Sequence, residues 1–231
     1  MLVKNWMSTN VITVNQINSM EDAMGLIKKH KIKMLPVLNK NKLVGIVTDR
    51  DLKRASASDA TSLEIHELLY LITKIKVQDI MSIPPITIPD GYTVEEAAEV
   101  LLKNNISGAP VVDNNGQIMG VITQNDIFRV LISLTGVGKK GVQFAFQLDD
   151  RPGSIKEVAD IIRAYGGRMV SILSSYEGLA KGYHKVYIRM DGIDGPKLDE
   201  LEEELRQKAS VMYVVNNSGD KRAFRQNQHS T

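Results

Sequence analysis

No cysteine occurs among the 231 residues. That absence excludes disulfides, thiolate metal sites and a cysteine nucleophile, and it fits a cytoplasmic location. No apolar run approaches the roughly 20 residues that a membrane-crossing helix needs. The opening Met1-Leu2-Val3-Lys4-Asn5-Trp6 lacks the charged-then-apolar layout of a secretory signal, so export is not expected. Catalytic signatures are missing as well. There is no HExxH, GxSxG or Walker pattern, and His30, His66, His184 and His229 are scattered. No carboxylate pair is singled out by spacing, so the chain is not expected to be an enzyme. Strong charge of one sign is lacking too: the net charge is +2. Residues 1–76 hold twelve Lys and Arg against seven Asp and Glu, and residues 77–141 hold four against seven. The excess sits in Lys28, Lys29, Lys31, Lys33, Lys40 and Lys42. That falls short of a nucleic-acid footprint. It would attract a small phosphorylated ligand, or simply solvate a helix face.

What the chain does contain is a duplication. Gly45-Ile46-Val47-Thr48-Asp49-Arg50-Asp51 returns as Gly120-Val121-Ile122-Thr123-Gln124-Asn125-Asp126. Each copy reads as a buried strand, a polar turn and a helix start. Val3–Met7 returns as Val77–Met81, and Leu35-Pro36-Val37 returns as Ala109-Pro110-Val111, both 74 residues later. The motif itself is displaced by 75, because Asp113-Asn114-Asn115-Gly116-Gln117 carries one residue more than Asn39-Lys40-Asn41-Lys42. A turn is where a repeat tolerates a change of length. The period is that of a duplicated small domain, and the length suits two compact bodies.

Taken in order, each repeat reads strand, helix, strand, strand, helix. Val11–Val14 is a predicted strand, and Ser19-Met20-Glu21-Asp22 is a capping-box start for a helix to about His30. Ala23, Met24, Leu26 and Ile27 form its apolar face. Strands Met34–Leu38 and Leu43–Thr48 follow, then a helix near Asp51. The second copy has strand Ile86–Ile88, a capping box at Thr93-Val94-Glu95-Glu96, strands Ala109–Val112 and Ile118–Thr123, and a helix from Asp126. Between the copies, Leu63, Ile65, Leu68, Leu69, Ile72 and Ile75 keep helical spacing, which predicts a connecting helix over 58–76. Gly136-Val137-Gly138-Lys139-Lys140-Gly141 has no apolar period and reads as a hinge.

Beyond it the pattern changes. Val142, Phe144, Phe146 and Leu148 alternate as in a half-buried antiparallel strand. A turn at Asp149–Ser154 follows, with Ser154 at an N-cap position of a helix to Tyr165. Strands Met169–Ser175 and Tyr183–Met190, a helix from Pro196 to about Ala209, and strand Val211–Val215 complete a βαββαβ order. That is the ferredoxin-like plan. Residues 217–231 are polar and predicted to be disordered.

The duplicated unit with its Gly-x-x-Thr-x-x-Asp ending resembles the cystathionine-β-synthase (CBS) domain, and two copies resemble a Bateman module. Residues 142–216, with Asp150-Arg151-Pro152-Gly153-Ser154 at the first turn, resemble an ACT domain. The fold class is therefore α+β in α/β layers: CBS domains at 1–57 and 77–135, then a ferredoxin-like ACT domain. This domain order is similar to CBS-ACT proteins assigned to acetoin utilisation.

The CBS resemblance implies an adenosine nucleotide (AMP, ADP or ATP, less often S-adenosylmethionine or NAD). It puts Asp51 and Asp126 on the ribose hydroxyls and Thr48 and Thr123 on ribose or phosphate. Adenine would lie near Val14, Leu35, Ile88 and Ala109, held by backbone groups. A carboxylate accepts both ribose hydroxyls, and N–H groups at a helix start favour phosphate. Arg50, Lys53 and Arg54 flank the first motif, whereas Gln124, Asn125 and Arg129 flank the second, so the two sites are expected to be unequal. Thr48-x-x-Asp51 and Thr123-x-x-Asp126 are equally capping boxes with Asp in place of Glu, and a cap alone accounts for both. The ACT resemblance implies an amino-acid site around Arg151, Pro152, Gly153 and Ser154 where two such domains meet; the turn also serves as a plain helix cap in a dimerising domain. A homodimer or higher homo-oligomer is expected from the open sheet edge. The whole reads as a cytoplasmic ligand sensor acting on an unidentified regulated protein, without nucleic acid or membrane. A non-catalytic oligomerisation scaffold is the alternative.

Overall fold

The computed structural model describes residues 1–59, 73–193, 195–217 and 222–226. They form two compact units, Met1–Val130 and Leu131–Thr231. In the first unit, one repeat runs β1 (Val14–Asn15), α1 (Met20–His30), β2 (Met34–Asn39), β3 (Lys42–Thr48) and α2 (Asp49–Asp59). The other runs α3 (Val77–Ile80), β4 (Ile88–Pro89), α4 (Val94–Lys103), β5 (Gly108–Val112), β6 (Ile118–Thr123) and α5 (Gln124–Thr135), whose residues from Leu131 onward belong to the second unit. Both capping boxes form. The Ser19 hydroxyl accepts the Asp22 N–H at 3.1 Å, and the Asp22 carboxylate accepts the Ser19 N–H at 3.0 Å. That backbone bond chiefly holds the Asp22 carboxyl below its usual range. Thr93 and Glu96 do the same for α4 at 3.2 and 2.7 Å. Most of the connecting helix expected over 58–76 lies outside the described residues.

Each repeat makes a three-stranded sheet, β1-β2-β3 and β4-β5-β6. The first strand of each is shorter than the sequence suggests, and proline is the reason. Ile46 exchanges both of its backbone groups with Ser82. Pro36, opposite Ile46, therefore turns its backbone toward β1, where it has no N–H to donate. The β1 ladder is confined to Val14 and Asn15, opposite Val37 and Leu38. Pro110, opposite Val121, limits β4 in the same way, since Val121 bonds to Ser8.

The two repeats exchange their lead-in segments. Val3 is fully buried in the second repeat's core, with Ile88, Leu101, Ala109 and Ile122. Val77 is fully buried in the first repeat's core, with Met20, Leu35, Val47 and Leu52. Equivalent backbone bonds hold both: Val3 N–H donates to Tyr92 at 2.8 Å, and Val77 N–H donates to Asn18 at 2.9 Å. Linear boundaries at 1–57 and 77–135 therefore cut across each folded half. The motif glycines are where the exchanged chains cross. A Cβ at Gly45 would lie 2.6 Å from the Met81 sulfur, and one at Gly120 would lie 2.5 Å from the Met7 sulfur.

The second unit runs β7 (Val142–Asp149), α6 (Ser154–Ala164), β8 (Arg168–Ser175), β9 (Tyr183–Asp191), α7 (Pro196–Lys208), β10 (Ser210–Asn216) and β11 (Ala223–Gln226). Its antiparallel sheet has the order β11-β10-β7-β9-β8. Phe144, Phe146, Ile162, Ile188 and Leu201 lie in its core, between the sheet and the two helices. Two expectations are corrected here. Within the tail expected to be disordered, Ala223–Gln226 pairs with β10. Phe224 packs on the Tyr213 ring, and Arg225 bonds to Asp199 and Glu202 at 3.0 Å each. The predicted hinge at 136–141 is docked instead: Gly141 lies so close to the Met190 carbonyl that a side chain would not fit, and its own carbonyl accepts the Asn217 N–H at 2.8 Å.

Tight passage at Gly120 yields a test. A Cβ there would stand 2.8 Å from the Ser8 carbonyl oxygen, which is backbone and cannot rotate away. Gly120→Ala is expected to destabilise the first unit by about 1–3 kcal/mol, read by urea denaturation. Gly45→Ala should cost less, since the matching carbonyl, of Ser82, is 3.0 Å away.

Candidate functional site

At the end of β3 the chain turns from strand to helix, and Thr48 and Asp51 close that turn. One oxygen of Asp51, Oδ2, accepts the Thr48 N–H at 3.0 Å and the Thr48 hydroxyl at 2.6 Å. The same hydroxyl accepts the Asp51 N–H at 3.2 Å. Thr123 and Asp126 repeat this at 2.9, 2.7 and 3.4 Å. The capping box foreseen in the motif is thus formed in both copies. It occupies Oδ2 alone. Oδ1 of Asp51 is met at 2.9 Å by Arg54, whose side chain is 72% exposed. Oδ1 of Asp126 is met at 3.4 Å by Arg129, 69% exposed. Both aspartates are themselves buried.

Each carboxylate is therefore split by role. One oxygen ties the helix to its strand, and the other faces a cation that solvent can draw away. An exposed ion pair of this kind contributes little to stability. The second arginine of the first motif, Arg50, is exposed, while Lys53 pairs with Asp49 at 2.6 Å. The second motif has Asn125 at the position of Arg50, and Gln124, at the helix start, reaches the Ile106 carbonyl at 3.3 Å.

Val14, Leu35, Ile88 and Ala109 are all buried within the two repeat cores. Their side chains are core groups. The structure also joins the two motifs through Met34 and Gly108, two of the strand-edge residues expected near adenine. Met34 lies opposite Thr48, and Gly108 lies opposite Thr123. A Cβ on Gly108 would be 3.1 Å from both the Met34 sulfur and the Thr123 methyl. One copy supplies bulk and the other, at the equivalent position, supplies room. That complementarity is invisible until the repeats are placed together.

In the second unit, Arg151 lays both guanidinium nitrogens on the two Glu157 oxygens at 2.8 Å each. This bond holds the Glu157 carboxyl below its usual range and raises Arg151. Ser154 is not the N-cap. Gly153, at φ 93°, takes that place, because a left-handed residue is needed there. The Ser154 hydroxyl instead donates back to the Arg151 carbonyl at 3.1 Å. Pro152 follows Arg151 in the same exposed turn. Beside it lies a cavity of about 390 Å³, lined in part by Arg151, Ser154, Glu157 and Lys208.

The CBS domain pattern matches residues 3–58 and 77–133. A CBS domain-containing protein of Dictyostelium discoideum is 35% identical over 134 residues, covering 58% of this chain and 92% of that protein. The chain belongs to the CBS domain family. Among solved CBS proteins, the CBS domain pair of protein MJ0100, in complex with 5′-methylthioadenosine and S-adenosyl-L-methionine, superimposes with a TM-score of 0.50. It is 32% identical, over 60% of this chain and 98% of that one. An inosine-5′-monophosphate dehydrogenase of Korarchaeum cryptofilum is 35% identical over 119 residues, 52% of this chain. That likeness spans 22% of the dehydrogenase, so it joins this CBS pair to a portion of an enzyme and no more.

Because Oδ2 of each motif aspartate is a cap, its loss is a stability event first. Asp51→Ala and Asp126→Ala are each expected to cost about 1–2 kcal/mol in urea denaturation, in the absence of any ligand.

Proposed function

We propose that the chain is a non-catalytic regulatory sensor that binds an adenosine nucleotide of the AMP, ADP or ATP class in its CBS pair. The observation that carries this reading is the intact Thr-x-x-Asp box in both copies. It stands alongside the MJ0100 pair, which shares 32% of its sequence with this chain and is complexed with two adenosine compounds. Ribose hydroxyls donate to Oδ1 of Asp51 or Asp126. The arginine that covers this oxygen, Arg54 or Arg129, moves to the nucleotide's own phosphate, so that each charge finds a new partner. Arg50 adds a second cation to the first site, which suits a phosphorylated nucleotide. With its one arginine, the second site suits a less anionic ligand such as S-adenosylmethionine, or NAD with its charge spread over two phosphates.

The second unit acts in this reading as an ACT domain, on the strength of its βαββαβ order and the Arg151–Ser154 turn. Its sheet ends in the short β11 on one side and in β8, the longer edge, on the other. Edge pairing through β8 makes a homodimer. An amino acid at Arg151, Pro152, Gly153 and Ser154 would have to compete with Glu157 for the guanidinium. The order of a CBS pair followed by an ACT-like unit supports a likeness to acetoin-utilisation CBS-ACT proteins. In this reading the output passes to a regulated partner protein, and the nucleotide shifts the sensor's equilibrium only by its differential affinity for two states.

A scaffold that only oligomerises is the second reading, favoured by the fact that the capping boxes satisfy the motif aspartates internally. Isothermal titration with AMP, ADP, ATP, S-adenosylmethionine and NAD separates the two. Saturable binding of at least one of them is expected, lost by at least about tenfold in the Asp51→Ala, Asp126→Ala double variant. Silence across the panel selects the scaffold. Sedimentation should show a dimer that Ile172→Lys, at an exposed position of β8, converts to monomer.

A further inference from the structure

The face of the second unit's sheet opposite α6 and α7 holds a buried charge that has no counter-charge among the described residues. Strand alternation puts Phe144, Phe146, Val186 and Ile188 toward α6 and α7, so Gln143, Ala145, Tyr187 and Arg189 point the other way. Register then sets two rows across the strands. Ser171, Arg189 and Gln143 lie side by side in the first, and Leu173, Tyr187, Ala145 and Tyr213 in the second. The small Ala145 between two tyrosines leaves a notch. Together the rows line a cavity of about 280 Å³, just below the range of about 300–1,000 Å³ for pockets that hold drug-sized ligands, which suits a smaller molecule.

Arg189 is 5% exposed and opens into this cavity. Its Nε donates to the Thr135 carbonyl at 2.8 Å, and its Nη2 donates to the Gln143 side-chain oxygen at 2.6 Å. Its Nη1 is buried and has no hydrogen-bond partner among the described residues. Both acceptors are neutral. The Thr135 carbonyl, in the last turn of α5, offers the negative end of a helix dipole. A fractional charge of that kind does not balance a whole guanidinium. A buried cation left with unused N–H groups is costly, and the cost is relieved when an anion completes it.

We propose that this cavity is a binding site for a small monocarboxylate, with Arg189 as its counter-charge and the Tyr187 and Tyr213 rings as its walls. The anion class follows from the donor set. One guanidinium carries one positive charge in a flat fork, which matches a carboxylate in charge and shape, whereas a phosphate dianion would be left under-neutralised. The ligand's body is apolar, because Leu173 and two aromatic faces surround the remaining space. An α-amino acid fits worse than the corresponding simple acid: no Asp or Glu is among the described residues that line the cavity, so an ammonium group would be buried unpaired. Burial also raises the Tyr213 hydroxyl above its usual pKa, which keeps it neutral beside the anion. None of these residues belongs to the turn at Arg151–Ser154, and the site does not depend on the nucleotide reading of the CBS pair.

The test is isothermal titration of the full chain with 4-methylpentanoate, with leucine, which has the same body plus an ammonium group, and with inorganic phosphate. Saturable binding of 4-methylpentanoate is expected, with leucine and phosphate weaker by about tenfold or more. Arg189→Gln should weaken the carboxylate by about tenfold or more. Leu173→Trp, which keeps the arginine but fills the space, should do the same and decides the matter if Arg189→Gln fails to fold. The proposal is overturned if the wild-type chain does not bind 4-methylpentanoate saturably, if leucine binds equally well, or if the folded variants bind as the wild type does. Arg189 would then be a cap for α5 and nothing more.

Discussion

The first unit depends on a reciprocal loan of chain between its repeats. Val3 completes the second core and Val77 completes the first, each fastened by matching backbone bonds. Each repeat's core includes a residue of the other's lead-in segment, so the pair forms one compact unit although the sequence shows two copies. The glycine that opens each motif belongs to the same device. Gly45 and Gly120 make room for Met81 and Met7 at the crossing points, which is a packing reason for the first letter of a motif whose last letter is the proposed ribose contact.

Structure and proposed chemistry meet in a single carboxylate, used twice. Oδ2 of Asp51 and Asp126 closes the strand-to-helix turn, while Oδ1 looks outward to an exposed arginine. Capping and ribose binding therefore do not compete as explanations. The cap fixes the carboxylate's orientation, and a fixed carboxylate is a better acceptor for a diol than a mobile one, because less freedom is lost on binding. The cost is that no substitution at these positions tests binding alone.

Much of this was legible in the sequence because it is local. Ser19 with Asp22 and Thr93 with Glu96 announce helix starts within four residues, and the alternation of Val142, Phe144, Phe146 and Leu148 announces a strand. What escaped was set by partners distant in the chain. Val3 looks like a residue of the first repeat and serves the second. Pro36 reads as part of an ordinary strand, and its effect on β1 appears only when Ile46 is seen bonded to Ser82. The tail looked structureless by composition, yet Phe224 finds Tyr213 on the neighbouring strand and Arg225 finds Asp199 and Glu202 on α7. Of the motif residues, Thr48, Asp51, Thr123 and Asp126 were readable as a group. The arginines flanking them were noted as cations, but their attachment to the aspartates was not foreseen, since an i to i+3 pairing depends on which way the carboxylate is already turned.

The exchanged segments also bear on how the molecule is made. A chain leaves the ribosome from its first residue onward, at roughly 5–20 residues per second. Val3 and Ser8 therefore exist for seconds before Tyr92 and Val121, the groups that will hold them. Over the same interval the first repeat waits for Val77 to fill its core. The earliest-made part of the first unit is thus secured last, and a halt in translation between the repeats would strand a half-built core with an apolar surface exposed to other proteins.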